Sequence, residues 1–285
     1  MPKRKKVVFL GNCVAQRLQN LLPRYPGFGD GHEIVPAPMI HLLRDEAEWQ
    51  SAADLALNCD LLCSQPLFNY GPCNTENLRA SLREGQSLIV FSSPNFEAYF
   101  PDAIVLQGAG AKEKHILDWD SSIIFSCYLR GLSIFAVEEI YRNHPLFCAE
   151  NLQKRVDAAL ERYISRERNV DLSTSVYAIR NFARRKLFHT PKHPVDSFLQ
   201  MMLAQVADCL GLPALAEEAV PVEGFGFNQW PVLTGKHNLF TFPEQSYFVI
   251  GGQRVSLEDA AMAYYIFYDA NPEIVEANRN QALEI

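Results

Sequence analysis

The sequence predicts an α/β fold in which a parallel sheet is flanked by helices and followed by a largely helical C-terminal half. Short, continuously apolar runs alternate with helical patterns, which is typical of a parallel sheet covered on both faces. From about residue 121 the apolar residues recur with helical spacing instead. We therefore expect an α/β core over residues 1–120 and a helical portion over residues 121–285, which together make one compact unit.

Four apolar runs are the predicted strands of the core, at residues 7–10, 33–36, 60–64 and 87–91. The pattern predicts helices after the first three strands. One begins at Cys13, one covers residues 44–57, and a short one is capped by Thr75 and ended by Gly85.

The first helices of the second half are predicted from their apolar patterns. Residues 121–142 are apolar nearly all round, which predicts one buried central helix, and residues 149–168 are amphipathic. Asp171 is expected to cap a further helix that buries Val176 and Ile179.

The remaining elements are marked by turn and cap residues. Gly211 is expected to end a helix that starts at Pro194, and Ser256 to cap another, with Asp259 three residues later. Residues 239–242 and 247–250 predict a hairpin, and residues 272–283 a polar terminal helix.

The composition is that of a globular protein, and it argues against nucleic-acid binding and against a metal site. Of 285 residues, 48% are hydrophobic and 21% charged, and the net charge of −7 argues against a general nucleic-acid-binding surface. The seven cysteines are odd in number, which favours reduced thiols. Cys59 and Cys63 have no matching pair of Cys or His ligands after them, so no metal site is expected.

The N-terminus does not have the pattern of a signal peptide. The apolar run from Val7 to Leu10 is far shorter than the roughly 7–15 residues that such a peptide needs. The longest apolar stretch, residues 123–140, contains three charged side chains and does not match a membrane span. We expect a cytoplasmic protein that does not insert into a membrane.

The junction of the first strand and first helix is the strongest candidate for a site. Gly11 and Asn12 make a tight turn there, and Cys13 falls in the first helical turn. Unpaired N–H groups and the positive end of the helix dipole favour a thiolate at that position. Strand, sharp turn, nucleophile and helix is also the geometry of the serine-hydrolase elbow. The alternative is that Cys13 is only a buried apolar residue.

Polar residues are predicted to converge at one edge of the sheet, because ligands bind beyond the carboxyl ends of parallel strands. Next to Cys13, these residues are Asn12, His41, Ser64, Gln65 and Asn95. The amides could join the Cys13 backbone N–H as donors to an oxyanion. Such a set of residues suits acyl transfer, with Cys13 either acylated or only lining the site.

His193 is the candidate base. Pro194 suits the first helical position, which places His193 at the helix N-cap, where the dipole disfavours its cationic form. The alternative is a histidine that simply caps the helix. His41, His144 and His189 compete for the same function, and His41 is the most serious rival because it follows a predicted strand.

Two motifs together carry a resemblance to a known family. Gly11-Asn12-Cys13 after the first strand, with Phe188-His189-Thr190-Pro191-Lys192-His193-Pro194 later, resembles the WcbI-type polysaccharide biosynthesis family. Residues 60–66 and 94–102 are similar as well. The resemblance implies an SGNH-like fold, in which Cys13 takes the nucleophile position and His193 that of the late catalytic histidine. The chain departs from the pattern at Val14, where the family often has Gln, and at Thr190, where the esterases have Asp.

The resemblance also implies an activity. It is O-acetyl transfer from acetyl-CoA to a hydroxyl of a heptose-type sugar, or of its nucleotide-linked precursor, in bacterial capsular polysaccharide biosynthesis. Gly11 would lie against CoA, and four cations could bind its phosphates: Arg184, Arg185, Lys186 and Lys192.

Two alternatives stay open. One is a carbohydrate esterase that uses the same residues with water as the acceptor, and the other is a non-catalytic CoA- or sugar-nucleotide-binding subunit of capsule assembly. The route of acetyl transfer also stays open. Cys13 could be acetylated first, or His193 could deprotonate an acceptor hydroxyl that attacks the thioester directly. A homo-oligomer is compatible with the sequence.

Overall fold

A computed structural model describes residues 3–108, 117–214, 224–234 and 239–284, and its fold is the α/β fold that the sequence predicts. The described strands are β1 (Lys5–Leu10), β2 (His32–Ile34), β3 (Leu61–Ser64), β4 (Ser87–Val90), β5 (Ala103–Ile104), β6 (Asp120–Ser121), β7 (Phe188–Thr190), β8 (His193–Pro194), β9 (Phe248–Ile250) and β10 (Gln253–Val255). The described helices are α1 (Cys13–Leu21), α2 (Phe28–Gly31), α3 (Glu46–Ala56), α4 (Thr75–Ser81), α5 (Ser122–Leu129), α6 (Ile134–Asn143), α7 (Ala149–Arg166), α8 (Ser175–Asn181), α9 (Asp196–Cys209), α10 (Leu257–Ala270) and α11 (Pro272–Ala277).

The chain divides into two units, each made of several segments. The first unit contains Met1–Pro94, Tyr163–Ala178 and Asp196–Gly224. The second unit contains Asn95–Arg162, Ile179–Val195 and Phe225–Ile285.

A parallel four-stranded sheet with the order β2-β1-β3-β4 organises the first unit. β1 and β3 are its central strands, and their apolar runs are buried, as expected for strands covered on both faces. All four predicted strands are confirmed, with ends shifted by one or two residues. Two single bridges extend the sheet at its carboxyl edge, between Gly11 and Met39 and between Phe91 and Leu172.

Helix α1 begins at Cys13, as the sequence predicts, and α3 begins at Glu46, two residues after its predicted start. Asp45 caps α3 by accepting a 2.9 Å hydrogen bond from the Glu48 N–H, and the helix buries Ala52, Ala53 and Ala56. α9 ends at Cys209, and Gly211 follows it with a positive φ of 67°, which glycine adopts without strain. No helix within the described ranges is long and apolar enough to cross a bilayer.

Two predicted caps in the first unit are wrong because tertiary partners take the side chains. Thr75 is the first residue of α4, and its hydroxyl accepts from the Leu67 N–H instead of capping the helix. α4 then ends at Ser81, well before Gly85. Asp171 accepts a hydrogen bond from the Val90 N–H at 2.7 Å, so it joins the sheet and does not cap α8.

The burial predicted for the helix after Asp171 is also wrong. Val176 and Ile179 lie on exposed positions of α8. The Glu167 carboxylate accepts from the N–H groups of Thr174 and Ser175 and so supplies the N-terminal partner that Asp171 was expected to provide.

The second unit corrects the prediction of one long central helix. α5 and α6 replace it, and the break contains Gly131 at a φ of +65°. α5 is buried nearly all round, whereas Phe135 at the start of α6 is 74% exposed. The continuous apolar pattern therefore gave no sign of the left-handed turn at Gly131, a conformation that glycine adopts more easily than other residues.

The hairpin and the terminal helix also differ from the prediction. β9 pairs antiparallel with β10 through a turn at Gly251 and Gly252, both at positive φ, and not with residues 239–242. The polar terminal helix is the shorter α11, followed by a 3₁₀ turn. Ser256 does cap α10, since its hydroxyl accepts from the Asp259 N–H at 3.0 Å, as predicted.

Candidate active site

The junction of β1 and α1 in the first unit has the predicted geometry. Asn12 is the N-cap of α1, and its Oδ1 accepts a 2.9 Å hydrogen bond from the Val14 N–H. Cys13 is therefore the first residue of the helix, and its side chain is partly exposed. The thiol lies at the positive end of a helix of nine residues, where a thiolate is stabilised.

The end of β3 holds this junction in place through Gln65. Its Oε1 accepts a 2.7 Å hydrogen bond from the Asn12 N–H, while its own N–H donates to the Leu10 carbonyl at 2.9 Å. Gly11 permits this approach, because a Cβ at that position would overlap Gln65 Oε1 and lie 2.8 Å from the Cβ of Ala15. The glycine is thus needed for space.

Gln65 leaves one strong donor unused. The side chain is 2% exposed, and its Nε2 is buried with no hydrogen-bond partner among the described residues. The orientation of the amide follows from chemistry, since only the carbonyl oxygen can accept from the Asn12 N–H. A buried amide donor without an acceptor is unusual, and it suits an oxygen that carries negative charge during a reaction.

Two other predicted residues lie near this junction, but with different environments. Ser64 is buried, and its hydroxyl donates to the Gln65 carbonyl at 2.8 Å, so it supports the backbone there. His41 is exposed in a 3₁₀ turn, and the N–H of the preceding Ile40 donates to the Gly11 carbonyl at 2.9 Å. The first unit therefore brings His41, Ser64 and Gln65 to the Gly11–Cys13 turn.

Sequence reasoning missed the residues that support Asn12 from the β4 side. Asn12 Nδ2 lies 3.5 Å from the hydroxyl of Ser93, and the adjacent Ser92 lies 3.0 Å from the Thr174 hydroxyl. Thr174 in turn donates to Glu167 at 2.7 Å. Burial raises the pKa of Glu167, but its hydrogen bonds outweigh burial and lower the pKa overall. The only sequence signal was the polar run that follows the fourth strand.

The other cysteines differ from Cys13 in environment. All seven are present as thiols, of which Cys59, Cys63, Cys73 and Cys127 are buried. Burial raises the pKa of Cys59 and of Cys73 to about 11, so these thiols stay protonated. Cys148 and Cys209 are exposed at helix ends.

His193 in the second unit does not have the predicted helix position. It lies in β8, opposite Thr190 of β7, and α9 begins only at Asp196, so the N-cap prediction is wrong. The ring stacks on Phe225 with centroids 4.5 Å apart. Burial lowers the pKa of His193, and Asp118 partly offsets this effect. The imidazole is therefore kept neutral by burial, whereas the sequence suggested a helix dipole.

His189 is a second half-buried imidazole on the same hairpin. Burial lowers its pKa to about 4, helped by the charge of Lys186. Gln229 donates through Nε2 to the Gly226 carbonyl at 2.9 Å, which leaves its Oε1 to accept from His189. His189 Nδ1 is buried without a partner in the described part of the chain. His189 is thus a rival of His193 for the base.

The four predicted phosphate-binding cations have three kinds of environment. Arg184 and Arg185 are exposed, as a phosphate site needs. Lys186 donates to Gln245 Oε1 at 2.5 Å, and burial lowers its pKa to about 7. Lys192 is exposed and lies 5.3 Å from the centre of the Trp119 ring.

Asn95 also belongs to the second unit. Its Nδ2 lies 3.4 Å from Glu97 Oε1, and its Oδ1 is buried with no partner within the described ranges.

The first unit therefore presents the chemistry of an acyl-binding site. A thiol lies at a helix N-terminus. The buried Gln65 amide, at the end of the neighbouring strand, bonds the same turn through its oxygen, and its Nε2 donor has no partner among the described residues. The second unit, described by itself, has two imidazoles that are neutral at physiological pH and can accept a proton.

Comparison with solved structures shows the fold in another protein. A structure of WcbI has a TM-score of 0.73 and 16% sequence identity, and the match covers 99% of this chain and 100% of that one. It is described as a novel polysaccharide biosynthesis enzyme, in a native form without a disulfide bond between coenzyme A and a cysteine. At 16% sequence identity, the similarity shows that the two proteins share a fold and nothing further.

Comparison at the level of families goes further. Among curated proteins nothing matches significantly. The profile of the family described as polysaccharide biosynthesis enzyme WcbI matches residues 6–215, which is well over half of the chain. On that match, this chain belongs to the WcbI family of polysaccharide biosynthesis enzymes.

Proposed function

We propose that this protein is an O-acetyltransferase that moves an acetyl group from acetyl-CoA to a sugar hydroxyl. The observation that carries the proposal is the partly exposed Cys13 thiol on the first residue of α1, directly after the Asn12 N–H that binds Gln65 Oε1. The Nε2 of that amide is buried and has no hydrogen-bond partner among the described residues. Membership of a family of polysaccharide biosynthesis enzymes supports a sugar acceptor. The related WcbI structure, described with reference to a disulfide between coenzyme A and a cysteine, supports CoA as the donor.

In this proposal, Gln65 stabilises the oxygen of the thioester. As a nucleophile adds to the carbonyl carbon, negative charge develops on that oxygen, and a buried N–H donor aimed at it lowers the barrier. Asn12 holds the other end of the Gln65 amide, so the donor needs no reorganisation during the reaction. Gly11 allows that arrangement by leaving room for Gln65 Oε1.

Two routes of transfer use this site. In the first, the Cys13 thiolate attacks the thioester, the C–S bond to CoA breaks, and CoA leaves as a thiolate. The sugar oxygen then attacks acetyl-Cys13, giving up its proton to a base. In the second, the sugar oxygen attacks acetyl-CoA directly while a base takes the hydroxyl proton, and the CoA thiolate leaves.

The remaining assignments follow the family resemblance. We assign His193 as the base, because its ring is neutral and partly exposed. Arg184 and Arg185 are the cations that we assign to the CoA phosphates, because both are exposed, whereas Lys186 is half-buried and bonded to Gln245. A heptose-type sugar of a bacterial capsule is the proposed acceptor, and the cytoplasm is the proposed compartment.

The proposal is tested by capture of CoA on the thiol. CoA disulfide should exchange with the Cys13 thiolate, which forms a mixed disulfide and releases one CoA thiolate. Peptide mass spectrometry should place the added CoA on Cys13 and not on the exposed Cys148 or Cys209. Variants Cys148→Ser and Cys209→Ser serve as matched controls that should label normally.

Binding and turnover separate the alternatives. Acetyl-CoA should raise the melting temperature, and absence of any shift overturns the transferase proposal. Cys13→Ala with unchanged turnover leaves only the direct route. Release of acetate without any sugar acceptor would indicate an esterase, and CoA binding without turnover would indicate a binding subunit.

A further inference from the structure

Polar atoms without partners concentrate around one hairpin of the second unit. They are Asn95 Oδ1, His189 Nδ1, Thr190 Oγ1 and Trp230 Nε1, all buried and without a hydrogen-bond partner in the described part of the chain. Native proteins leave few such atoms, so a group of them in one place requires an explanation.

Backbone hydrogen bonds show that these residues are neighbours. The Trp230 N–H donates to the His189 carbonyl at 2.8 Å, and the Phe96 N–H donates to the Pro191 carbonyl at 2.9 Å, which brings Asn95 beside the turn of the hairpin. Thr190 is directly opposite His193 in the β7–β8 pair. Directly opposed residues place their side chains on the same face of a ribbon, so Thr190 faces the same side as the candidate base.

The chemistry of the unpartnered atoms indicates what would satisfy them. Asn95 Oδ1 only accepts, Trp230 Nε1 only donates, and the Thr190 hydroxyl does both. His189 Nδ1 is an acceptor, because the other ring nitrogen donates to Gln229. A phosphate would offer acceptors alone and leave half of this set unbonded. Hydroxyl groups offer a donor and an acceptor each.

The surroundings are suited to a ring with both apolar and polar faces. Phe225 stacks on His193, and Trp230 is fully buried beside the hairpin. Small-molecule sites typically combine such aromatic walls with a few fixed polar groups. A pyranose ring has the matching character, with C–H groups on its faces and hydroxyls at its edge.

We infer that the β7–β8 hairpin, with Asn95 and Trp230, is the subsite for the acceptor sugar, and that the Thr190 hydroxyl bonds a sugar hydroxyl there. The inference rests on the proposed function, in which a sugar accepts the acetyl group. It adds that the sugar is recognised as a neutral polyhydroxylated ring within the second unit.

The test separates a ligand site from a mere packing defect. Thr190→Val keeps the shape and removes the unbonded hydroxyl, so it should raise the melting temperature by about 2 °C. It should also weaken sugar binding roughly fivefold, since one neutral hydrogen bond is lost. Thr190→Ser keeps the hydroxyl and should restore binding. Trp49→Phe is the matched control, because Trp49 Nε1 is also buried and has no partner within the described ranges, but lies in the first unit.

Binding is read by saturation-transfer NMR with three probes: the methyl α-glycosides of glucose, galactose and mannose. At least one should receive saturation from wild type and from Trp49→Phe, and several-fold less from Thr190→Val. Transfer to none of the three, or equal transfer in Thr190→Val, overturns the inference. CoA capture on Cys13 is measured in the same variants. Normal capture in a wild-type protein that binds none of the three glycosides refutes the subsite alone. Failed capture in a wild-type protein that binds a glycoside refutes the transferase proposal alone.

Discussion

The side-chain carbonyl of Gln65 accepts a 2.7 Å hydrogen bond from the backbone N–H of Asn12. This bond joins the end of β3 to the turn that follows β1, and the next residue carries the candidate thiol. The same bond leaves the Nε2 of that amide without a hydrogen-bond partner in the part of the chain that the structure describes. The predictions for the first unit depend on that one contact.

Replacement of Gln65 should reduce the rate of the reaction more than the stability of the fold. Gln65→Ala removes the Nε2 donor, and loss of one donor to an oxyanion lowers kcat by about 10²–10³-fold. Gln65→Glu should be equally inactive, because a carboxylate places negative charge where the reaction develops it. Steady-state kinetics with acetyl-CoA gives kcat and KM separately.

Gln19 offers a matched control for that experiment. It is also buried, and its Oε1 accepts from the Ala37 N–H at 3.0 Å. Gln19→Ala should destabilise the protein by about 1–3 kcal/mol and leave kcat nearly unchanged. Equal losses of kcat in both variants would mean that Gln65 acts only through stability.

Gly11→Ala should damage the site by displacing Gln65. The new methyl would overlap Gln65 Oε1 and crowd the Cβ of Ala15, and such overpacking costs about 1–3 kcal/mol. We expect a lower melting temperature together with a loss of kcat. Gly29→Ala is the control, because none of the other described residues comes within 4 Å of its Cβ position, and this variant should be as stable as wild type or slightly more so. Normal activity in Gly11→Ala would show that the close approach is dispensable.

The pH dependence of kcat/KM should identify the base. Burial lowers the pKa of His193, so activity should fall only when the pH drops through a value below 6.5. His193→Ala should lower kcat by about 10²–10⁴-fold. Asp118→Asn should move the acid limb to lower pH, because the Asp118 carboxylate raises the pKa of His193 against the opposing charge of Lys192.

The rival base predicts a different profile. The pKa of His189 is about 4, so an acid limb near that pH, with an active His193→Ala variant, would assign the base to His189.

Asp102 should make the protein less stable as the pH rises from about 4 to 6. The carboxyl group is fully buried, accepts from the Ser121 hydroxyl at 2.6 Å, and has its pKa raised to about 6 by burial. The folded state therefore binds the proton more tightly than the unfolded state does. Its contribution is fully present below the unfolded pKa and is lost as the pH rises through the folded one.

Asp102→Asn should remove that dependence. A shift of about two pKa units corresponds to roughly 2–3 kcal/mol, so the variant should gain about that much on wild type between pH 4 and pH 7. Urea unfolding at several pH values measures the difference. Parallel curves for the two proteins would show that Asp102 titrates normally.

The local sequence pattern determined most of the secondary structure of the first unit. Continuous apolar runs and helix starts predicted β1 to β4, the start of α1 at Cys13 and the parallel sheet, because each depends on residues close in sequence. The same pattern placed Gly11, Asn12 and Gln65 in the candidate active site, because the carboxyl ends of parallel strands lie at one edge of the sheet. The resemblance to the family was also readable from two short motifs.

Contacts between distant residues decided the rest. Asp171 and Thr75 have the chemistry of helix caps, but they bond to Val90 and Leu67, which no local pattern reveals. His193 became a strand residue because β8 pairs with β7, and burial, not a helix dipole, keeps its ring neutral. The sequence alone thus determined which side chains are present at each strand end. Only the tertiary structure decided which polar atoms are satisfied and which, like Gln65 Nε2, have no partner among the described residues, because hydrogen-bond partners are set by proximity in space.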